Sequence, residues 1–209
     1  MKTFDKLIPD YPSVSRELGE FRTLLSSKED LGERSDILGF FKERRQLCSL
    51  IASAHGVGPD RIAYEYDLFG DFRVDLVVGK EKSQRYVFIE FEDAKPDSLF
   101  KKSDRSTTIW GTRVSGAFYQ IVDWFWKLNN QAHTPEFEMR FGSRSPEVTG
   151  VIIVGRNTSV SEVDRTRLKW LTGNLVLKSS NIFIYTFDDL LALLEDKLKA
   201  YEKFAKSME

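Results

Sequence analysis

The sequence has few residues that could form disulfides or a zinc site. It contains one cysteine and two histidines among 209 residues, so neither a disulfide nor a zinc site follows from its composition. Cys48 falls in an amphipathic segment, where a lone cysteine usually packs as a small apolar side chain. His55 and His133 fall in turn or loop segments without partners. They predict neither a metal site nor a catalytic triad.

Long apolar runs are also absent. No segment approaches the roughly 18 apolar residues of a membrane span, and the N-terminal MKTFDKLIPDYP lacks the apolar stretch of a signal peptide. The Gly-x-Gly in HGVGPD does not follow a strand, so it does not predict a phosphate-binding loop. We therefore expect a cytoplasmic protein with no membrane partner and no small-molecule cofactor.

Neither sign of charge is in large excess. The chain has 31 Lys and Arg against 32 Asp and Glu, a net charge of −1. This balance argues against a protein that coats nucleic acid through nonspecific charge. It does not exclude a nuclease, because catalytic carboxylates add negative charge that bound metal ions neutralise. With 41% apolar residues, including 16 Phe and 4 Trp, the chain is predicted to build a substantial core.

The hydrophobic pattern predicts one α/β domain with a mixed sheet. Residues 1–35 are predicted to be an N-terminal arm or cap with a short helix over residues 13–25, and residues 36–209 to be the main domain. The predicted order in that domain is helix, three strands, helix, strand, helix, strand, helix. The helices are predicted over residues 36–54, 106–130, 161–172 and from 188 onward, and the strands over residues 61–69, 72–78, 85–92, 148–155 and 181–187.

Two of these strands, FRVDLVV and RYVFIEFE, flank the polar loop GKEKSQ and are predicted to form a hairpin. If the loop is centred between Lys82 and Ser83, residues whose numbers sum to 165 face each other across the pair. One face of the hairpin then carries apolar cross-strand pairs, which supports the register. These pairs are Val74 with Phe91, Leu76 with Ile89, and Val78 with Val87.

The opposite face of the same hairpin is acidic. Asp75 meets Glu90, and Glu92 projects from the same face roughly 7 Å further along the strand. Like charges placed opposite one another destabilise a sheet, so a compensating cation is expected. Mg²⁺ or Mn²⁺ fits this requirement and could activate a water for attack on a phosphodiester. The alternative is a solvated face on which Arg73 and the loop of residues 80–85 provide ion pairs.

These residues resemble a known nuclease pattern. Asp75 on a hairpin, the EFE of residues 90–92, and Gln120 on the following helix are similar to the D…ExK…Q pattern of PD-(D/E)XK nucleases. The closer resemblance, over about residues 36–155, is to the nuclease domain of the Shedu family of bacterial anti-phage proteins. It implies a restriction-endonuclease-like mixed sheet flanked by helices, and a DNA endonuclease that uses Mg²⁺ or Mn²⁺ in anti-phage defence. It also implies assembly into a homo-oligomer.

The resemblance implies a role for each residue of the pattern. Asp75 and Glu90 would be metal ligands, with the backbone carbonyl of Phe91 as a further oxygen. Glu92 stands where the family usually has lysine, and could act as a general base or as ligand to a second metal. The same departure could mark a catalytically inactive domain that binds nucleic acid or a protein partner and serves in assembly. Gln120 could hydrogen-bond a metal-bound water or a phosphate, or simply lie at a packing edge.

The segment between the hairpin and the long helix is the best candidate for contact with DNA phosphates, although an ordinary solvated loop is the alternative. Its candidate cations are Lys95, Lys101, Lys102, Arg105 and Arg113. Glu43 and Glu65 are further candidate acids, but each is more readily explained as a surface charge. Trp124, Phe125 and Trp126 offer an adhesive surface for oligomerisation.

Overall fold

The fold is built on a mixed sheet of seven strands, which a computed structural model describes for residues 4–104 and 106–207, without the side chain of Lys206. The order across the sheet is β1-β2-β3-β4-β7-β9-β8. β7 runs parallel to β4 and to β9, and the other neighbours are antiparallel. The strands of this sheet are β1 (Asp5–Lys6), β2 (Arg61–Leu68), β3 (Phe72–Lys80), β4 (Arg85–Phe91), β7 (Glu147–Ile153), β8 (Val176–Leu177) and β9 (Ser180–Tyr185).

Helices cover both faces of this sheet. They are α1 (Tyr11–Ser27), α2 (Leu38–Lys42), α3 (Arg45–Ala54), α4 (Thr112–Gln131), α5 (Pro135–Phe141), α6 (Glu162–Asn174) and α7 (Phe187–Lys206). A π-helical turn, Glu33–Ile37, precedes α2, and β5 (Phe100–Lys101) pairs with β6 (Ile109–Trp110) outside the main sheet. A mixed sheet between helical layers confirms the predicted restriction-endonuclease-like fold class.

The sheet separates two hydrophobic cores. Helices α1, α3 and α7 pack on one face and form the first core with inward residues such as Phe21 and Ile51. Helices α4, α5 and α6 cover the other face and form the second core around Trp124 and Phe141. Strand β4 is apolar on both faces because it lies between these cores, as is usual for a buried central strand. Glu90 and Glu92, at and just beyond the C-terminal end of β4, are therefore polar residues in buried surroundings.

The predicted hairpin register is confirmed from the turn as far as Leu76 and Ile89. The predicted pair of Val74 with Phe91 is wrong, because Val74 lies in the second core and Phe91 in the first. The ladder ends at Asp75, whose carboxylate accepts the Phe91 N–H at 2.9 Å. A side chain thus replaces the next backbone hydrogen bond, and β3 and β4 separate at the acidic positions.

The helix predicted over residues 36–54 is divided in the structure. The π-helical turn and α2 precede a break at Glu43 and Arg44, where the backbone of Arg44 leaves the helical region at φ −119° and ψ 68°. Arg44 is held there by Glu20 and by the carbonyl of Phe40. Cys48, in α3, is buried as predicted.

The long helix α4 begins at Thr112 rather than at residue 106. The residues before it are drawn into β6, where the Trp110 ring lies against Phe100 with centroids 4.6 Å apart. Helix α5 occupies part of a segment predicted to be a loop, and it begins at the cap provided by Thr134. The start of the helix predicted over residues 161–172 is confirmed for α6, which Ser161 caps by accepting the N–H of Asp164 on Oγ at 3.2 Å.

Within the described ranges, no helix is both long enough and apolar enough to cross a membrane. Helix α1, which falls within the predicted N-terminal arm, contributes four residues to the first core. They are Val14, Leu18, Phe21 and Leu25.

Candidate active site

Asp75 and Glu90 lie where β3 and β4 separate. Glu90 is buried and Asp75 is half-buried, and their carboxyl groups lie close enough that each affects the pKa of the other. Asp75 also accepts the N–H of Phe91, and the Phe91 ring is fixed by stacking on Phe41 with centroids 4.4 Å apart. The two acids are therefore brought together as the hairpin register predicts, and both are held firmly.

The two oxygens of Glu90 have different surroundings. Oε1 accepts a hydrogen bond of 2.7 Å from Gln120 Nε2 on α4. Oε2 is buried and has no hydrogen-bond partner among the described residues, and Glu90 as a whole is only 6% exposed. A buried polar atom without a partner costs about 1 to 3 kcal/mol, and more when the group is charged. Gln120 thus lies at the site, hydrogen-bonded to Glu90 itself, while one carboxylate oxygen remains for a ligand.

Glu92 lies beyond Glu90 on the same side of the sheet and is also buried. Its Oε2 is 3.3 Å from NH1 of Arg113, at the start of α4. The ion pair with Arg73, given as the alternative explanation of the acidic face, is not formed. Arg73 instead lies 3.8 Å from Glu65. The cation beside Glu92 comes from a helix that is distant in sequence.

Burial and mutual repulsion disfavour the charged forms of all three acids. The pKa of Glu90 is raised strongly by burial, and then by the neighbouring charges of Asp75 and Glu92. Burial raises the pKa of Asp75, against the opposing hydrogen bond from Phe91. The pKa of Glu92 is raised to about 7 by burial and by Glu33, and Arg113 partly offsets this shift. A cation bound between these carboxylates would favour their charged forms and so lower their pKa values.

Glu33 is a fourth acid of the site that was not predicted. It lies at the start of the π-helical turn, and its charge raises the pKa of each of the other three acids. Its Oε2 is 3.3 Å from NH1 of Arg113. The polar segment around it has no hydrophobic period that would have placed it. Of the two further candidate acids, Glu43 has a side chain that is 80% exposed. Glu65 is paired with Lys42 and Arg73, but its charge also raises the pKa of Asp75.

The residues present fit a hard divalent cation only in part. No group of three acidic, histidine or cysteine side chains within the described ranges is already arranged to hold a metal ion. Mg²⁺ is typically held by only one or two carboxylates together with water and substrate phosphate. Asp75 and Glu90 supply such a pair, and the free Oε2 of Glu90 supplies an oxygen without a competing partner. The donor set is made of oxygen, as Mg²⁺ and Mn²⁺ prefer.

The five predicted DNA-contacting cations have different surroundings. Lys95 lies 3.6 Å from Asp93 beside the acidic site, where Arg113 also lies. Lys101 Nζ donates to Thr112 Oγ1 at 2.6 Å at the start of α4, and Lys102 is exposed. Arg105 falls outside the described residues.

The aromatic segment of α4 is mostly interior. Trp124 and Phe125 are buried in the second core, so the prediction that they form an adhesive surface is wrong. The period of the helix turns them toward the sheet. Trp126 is 56% exposed, and it alone of the three presents a large surface.

Comparison with known proteins found a match to one protein family. A family model described as the C-terminal part of the Shedu protein SduA matches residues 31–191. The matched segment includes Glu33, the acidic hairpin and Gln120, and it covers most of the chain. No curated protein matches the sequence.

Proposed function

The chain belongs to the Shedu family, and from this premise we propose that it is a metal-dependent endonuclease that hydrolyses phosphodiester bonds in DNA. Membership of the family points to anti-phage defence. The finer proposal of a PD-(D/E)XK nuclease is supported by the acidic site and by the resemblance of its sequence pattern. We also propose that it acts in the cytoplasm as a homo-oligomer, the latter on that resemblance alone.

A single observation carries the proposal. The carboxyl groups of half-buried Asp75 and buried Glu90 meet at the end of the central strands, and one oxygen of Glu90 has no partner among the described residues. A purely structural role does not explain why acids lie here, because replacing such acids with neutral side chains usually stabilises a protein. A divalent cation between Asp75 and Glu90 accounts for the placement.

Each residue has a role in the proposed reaction. Asp75, Glu90 and the carbonyl of Phe91 would hold Mg²⁺ or Mn²⁺, which supplies Lewis-acid activation and neutralises charge on phosphate oxygens. Gln120 fixes the orientation of Glu90 through Oε1. Glu92 accepts the proton of the attacking water, since a pKa near neutrality suits a general base.

A second candidate function is a nuclease-like domain that binds nucleic acid or a protein without cleaving it. The observation that favours it is the ion pair of Glu92 with Arg113, because the positive charge lowers the pKa of Glu92 and so weakens it as a base. This candidate predicts that calorimetry detects no binding of Mn²⁺ that depends on Asp75 and Glu90.

Plasmid cleavage in the presence of Mn²⁺ tests the leading proposal. The wild-type protein is expected to nick or linearise the plasmid, and Glu90→Gln to reduce the rate by about 100-fold or more, since metal activation contributes several kcal/mol. Glu43→Gln, which alters an exposed acid outside the site, is the matched control and should cleave normally. Cleavage that is equally fast in Glu90→Gln would contradict the assigned site.

A further inference from the structure

A polar cleft of about 490 Å³ opens beside the acidic site. One of its walls is the segment before and within the π-helical turn, and the other is formed by residues that follow β4 and by the start of α4. The lining residues are Gly32, Glu33, Arg34, Ser35, Asp93, Lys95 and Arg113. Three cations and two acids therefore face one space, and both acids already have basic partners.

Arg113 connects this cleft to the proposed catalytic acids. Its NH1 is 3.3 Å from both Glu92 and Glu33, and its Nε is 3.5 Å from Asp93. Charge-assisted pairs of good geometry are shorter, at about 2.7 to 2.9 Å. The side chain is also 50% exposed. Its donors are therefore oriented by the acids without being saturated by them.

Asp93 organises the wall after β4. It is buried, accepts a hydrogen bond from Ser98 Oγ, and lies 3.6 Å from the Nζ of Lys95. One buried carboxylate thus orients both Lys95 and Arg113 at the cleft, while the Lys95 side chain remains 56% exposed.

The opposite wall is fixed in place by backbone and side-chain contacts. Leu31 and Ala94 exchange backbone hydrogen bonds of 3.3 and 2.9 Å, which join this segment to the chain after β4. Asp36 Oδ2 accepts from the Gly32 N–H at 2.9 Å and from Ser35 Oγ at 2.8 Å. The cleft is therefore preformed. Arg34 points from this wall as an exposed residue, and no ion pair or hydrogen bond joins its side chain to another described residue.

We propose that this cleft binds a backbone phosphate of the DNA strand next to the phosphodiester that is cut, with Arg34, Lys95 and Arg113 as its ligands. This inference rests on the proposed function, and it adds that the DNA strand runs through the cleft to the acidic pair. Arg34 and Lys95 hold the phosphate from opposite walls, and Arg113 directs the strand toward Glu92 and the acidic pair. The cations supply positive charge locally on a chain whose net charge is −1.

The salt dependence of DNA binding tests the inference. Fluorescence anisotropy would measure the affinity of a fluorescein-labelled 20-base-pair DNA duplex at several KCl concentrations, with EDTA and separately with Ca²⁺. Each lost phosphate contact lowers the slope of log K against log salt by about 0.9 for duplex DNA. Because the three cations share one phosphate, Arg34→Gln and Lys95→Gln should each lower the slope by part of this amount, and the triple variant with Arg113→Gln should lower it by about the full 0.9.

Matched controls lie at the opposite end of the sheet. Lys82 is in the turn between β3 and β4, and Arg144 is an exposed arginine paired with Glu138 at 2.9 Å. Lys82→Gln and Arg144→Gln should leave the slope unchanged. Because Arg34 is exposed and has no described partner, Arg34→Gln is not expected to disturb folding.

The outcomes separate this inference from the proposed nuclease activity. Unchanged slopes in the Arg34 and Lys95 variants would overturn the cleft as a binding site, even if the wild-type protein cleaves plasmid. Reduced slopes without plasmid cleavage by the wild-type protein would support the cleft and count against the nuclease. A wild-type protein that binds no DNA in either condition would overturn the cleft.

Discussion

At the scale of single residues, the side chains of the acidic site lower the free energy of unfolding of the metal-free protein. Glu90 is buried with one oxygen that has no partner among the described residues, and the charge of half-buried Asp75 beside it raises its pKa further. Groups with such strongly perturbed pKa values concentrate at functional sites. Replacing them without changing their shape should therefore stabilise the metal-free protein.

Glu90→Gln is expected to raise the free energy of unfolding at pH 8 by about 1 to 3 kcal/mol. The pKa of Glu90 is higher in the folded than in the unfolded state, so the wild-type protein loses stability as pH rises above the unfolded value of about 4.5. The stabilisation of Glu90→Gln relative to wild type should nearly disappear at pH 5, because Glu90 is already protonated in the folded protein at that pH. Thermal denaturation at both pH values measures this, with roughly 2 to 4 °C in Tm for each kcal/mol. A lower Tm for Glu90→Gln than for wild type at pH 8 would be inconsistent with this reading.

Gln120→Ala is expected to weaken Mn²⁺ binding by about 10- to 100-fold, because it removes the hydrogen bond that orients Glu90. Isothermal titration calorimetry with Mn²⁺ measures the change. Asn130→Ala, near the exposed end of the same helix, serves as the control and should bind normally. Equal affinity in Gln120→Ala and wild type would show that Gln120 only packs beside the site.

At the scale of secondary-structure elements, the hairpin was the most predictable part of the site. The period of two along β3 and β4 is a local property, and it placed the Asp75 and Glu90 side chains close together, although the confirmed pairing ends at Leu76 and Ile89. The same period failed at Val74 and Phe91, because the Asp75 carboxylate replaces a backbone hydrogen bond there. The pattern of apolar residues does not indicate where a side chain interrupts the backbone hydrogen bonds between two strands.

The rest of the site depends on contacts between distant segments. Glu33 reaches the acids because Leu31 pairs with Ala94, and Arg113, near the start of α4, lies beside Glu92 from an element that is separate in sequence. Neither contact follows from local sequence. They could not have been found without knowing how the elements pack.

The start of α4 gives a prediction about glycine. A Cβ on Gly111 would lie 2.3 Å from the carbonyl oxygen of Ser98 and 2.5 Å from that of Asp97. Gly111→Ala should therefore displace the helix start with its Arg113, lower the free energy of unfolding by about 1 to 3 kcal/mol, and slow cleavage. Urea denaturation and plasmid cleavage measure the two effects.

Gly116, in the same helix, is the matched control. Nothing lies within 4 Å of a Cβ added there, so Gly116→Ala should stabilise the protein by about 0.5 to 1 kcal/mol through its helix preference. If Gly111→Ala proved as stable as Gly116→Ala, the close approach of α4 to residues 97 and 98 would be wrong.

At the scale of the whole molecule, Arg156 ties three parts of the chain together. It donates to the carbonyls of Leu25 and Lys28 at 2.9 Å each and to Asp188 at 3.0 Å. Arg156→Met would remove the donors to the buried Leu25 carbonyl and to the half-buried Asp188 carboxylate, and should destabilise the fold by about 1 to 3 kcal/mol. Chemical denaturation measures the loss, and Arg144→Met at an exposed position should change little. Stability equal to that of wild type would mean that this junction does not hold α1 to α7.

The architecture as a whole leaves the acidic pair in a defined position. Helices cover both faces of the sheet, and the separated ends of β3 and β4 bring buried carboxylates beside a polar cleft. The central claim is that this pair binds a divalent cation for phosphodiester hydrolysis. Anomalous diffraction from a crystal soaked in Mn²⁺ tests it most directly. A peak between the carboxylates of Asp75 and Glu90, within bonding distance of Glu90 Oε2, is predicted; a fully soaked crystal with no peak there would contradict the claim.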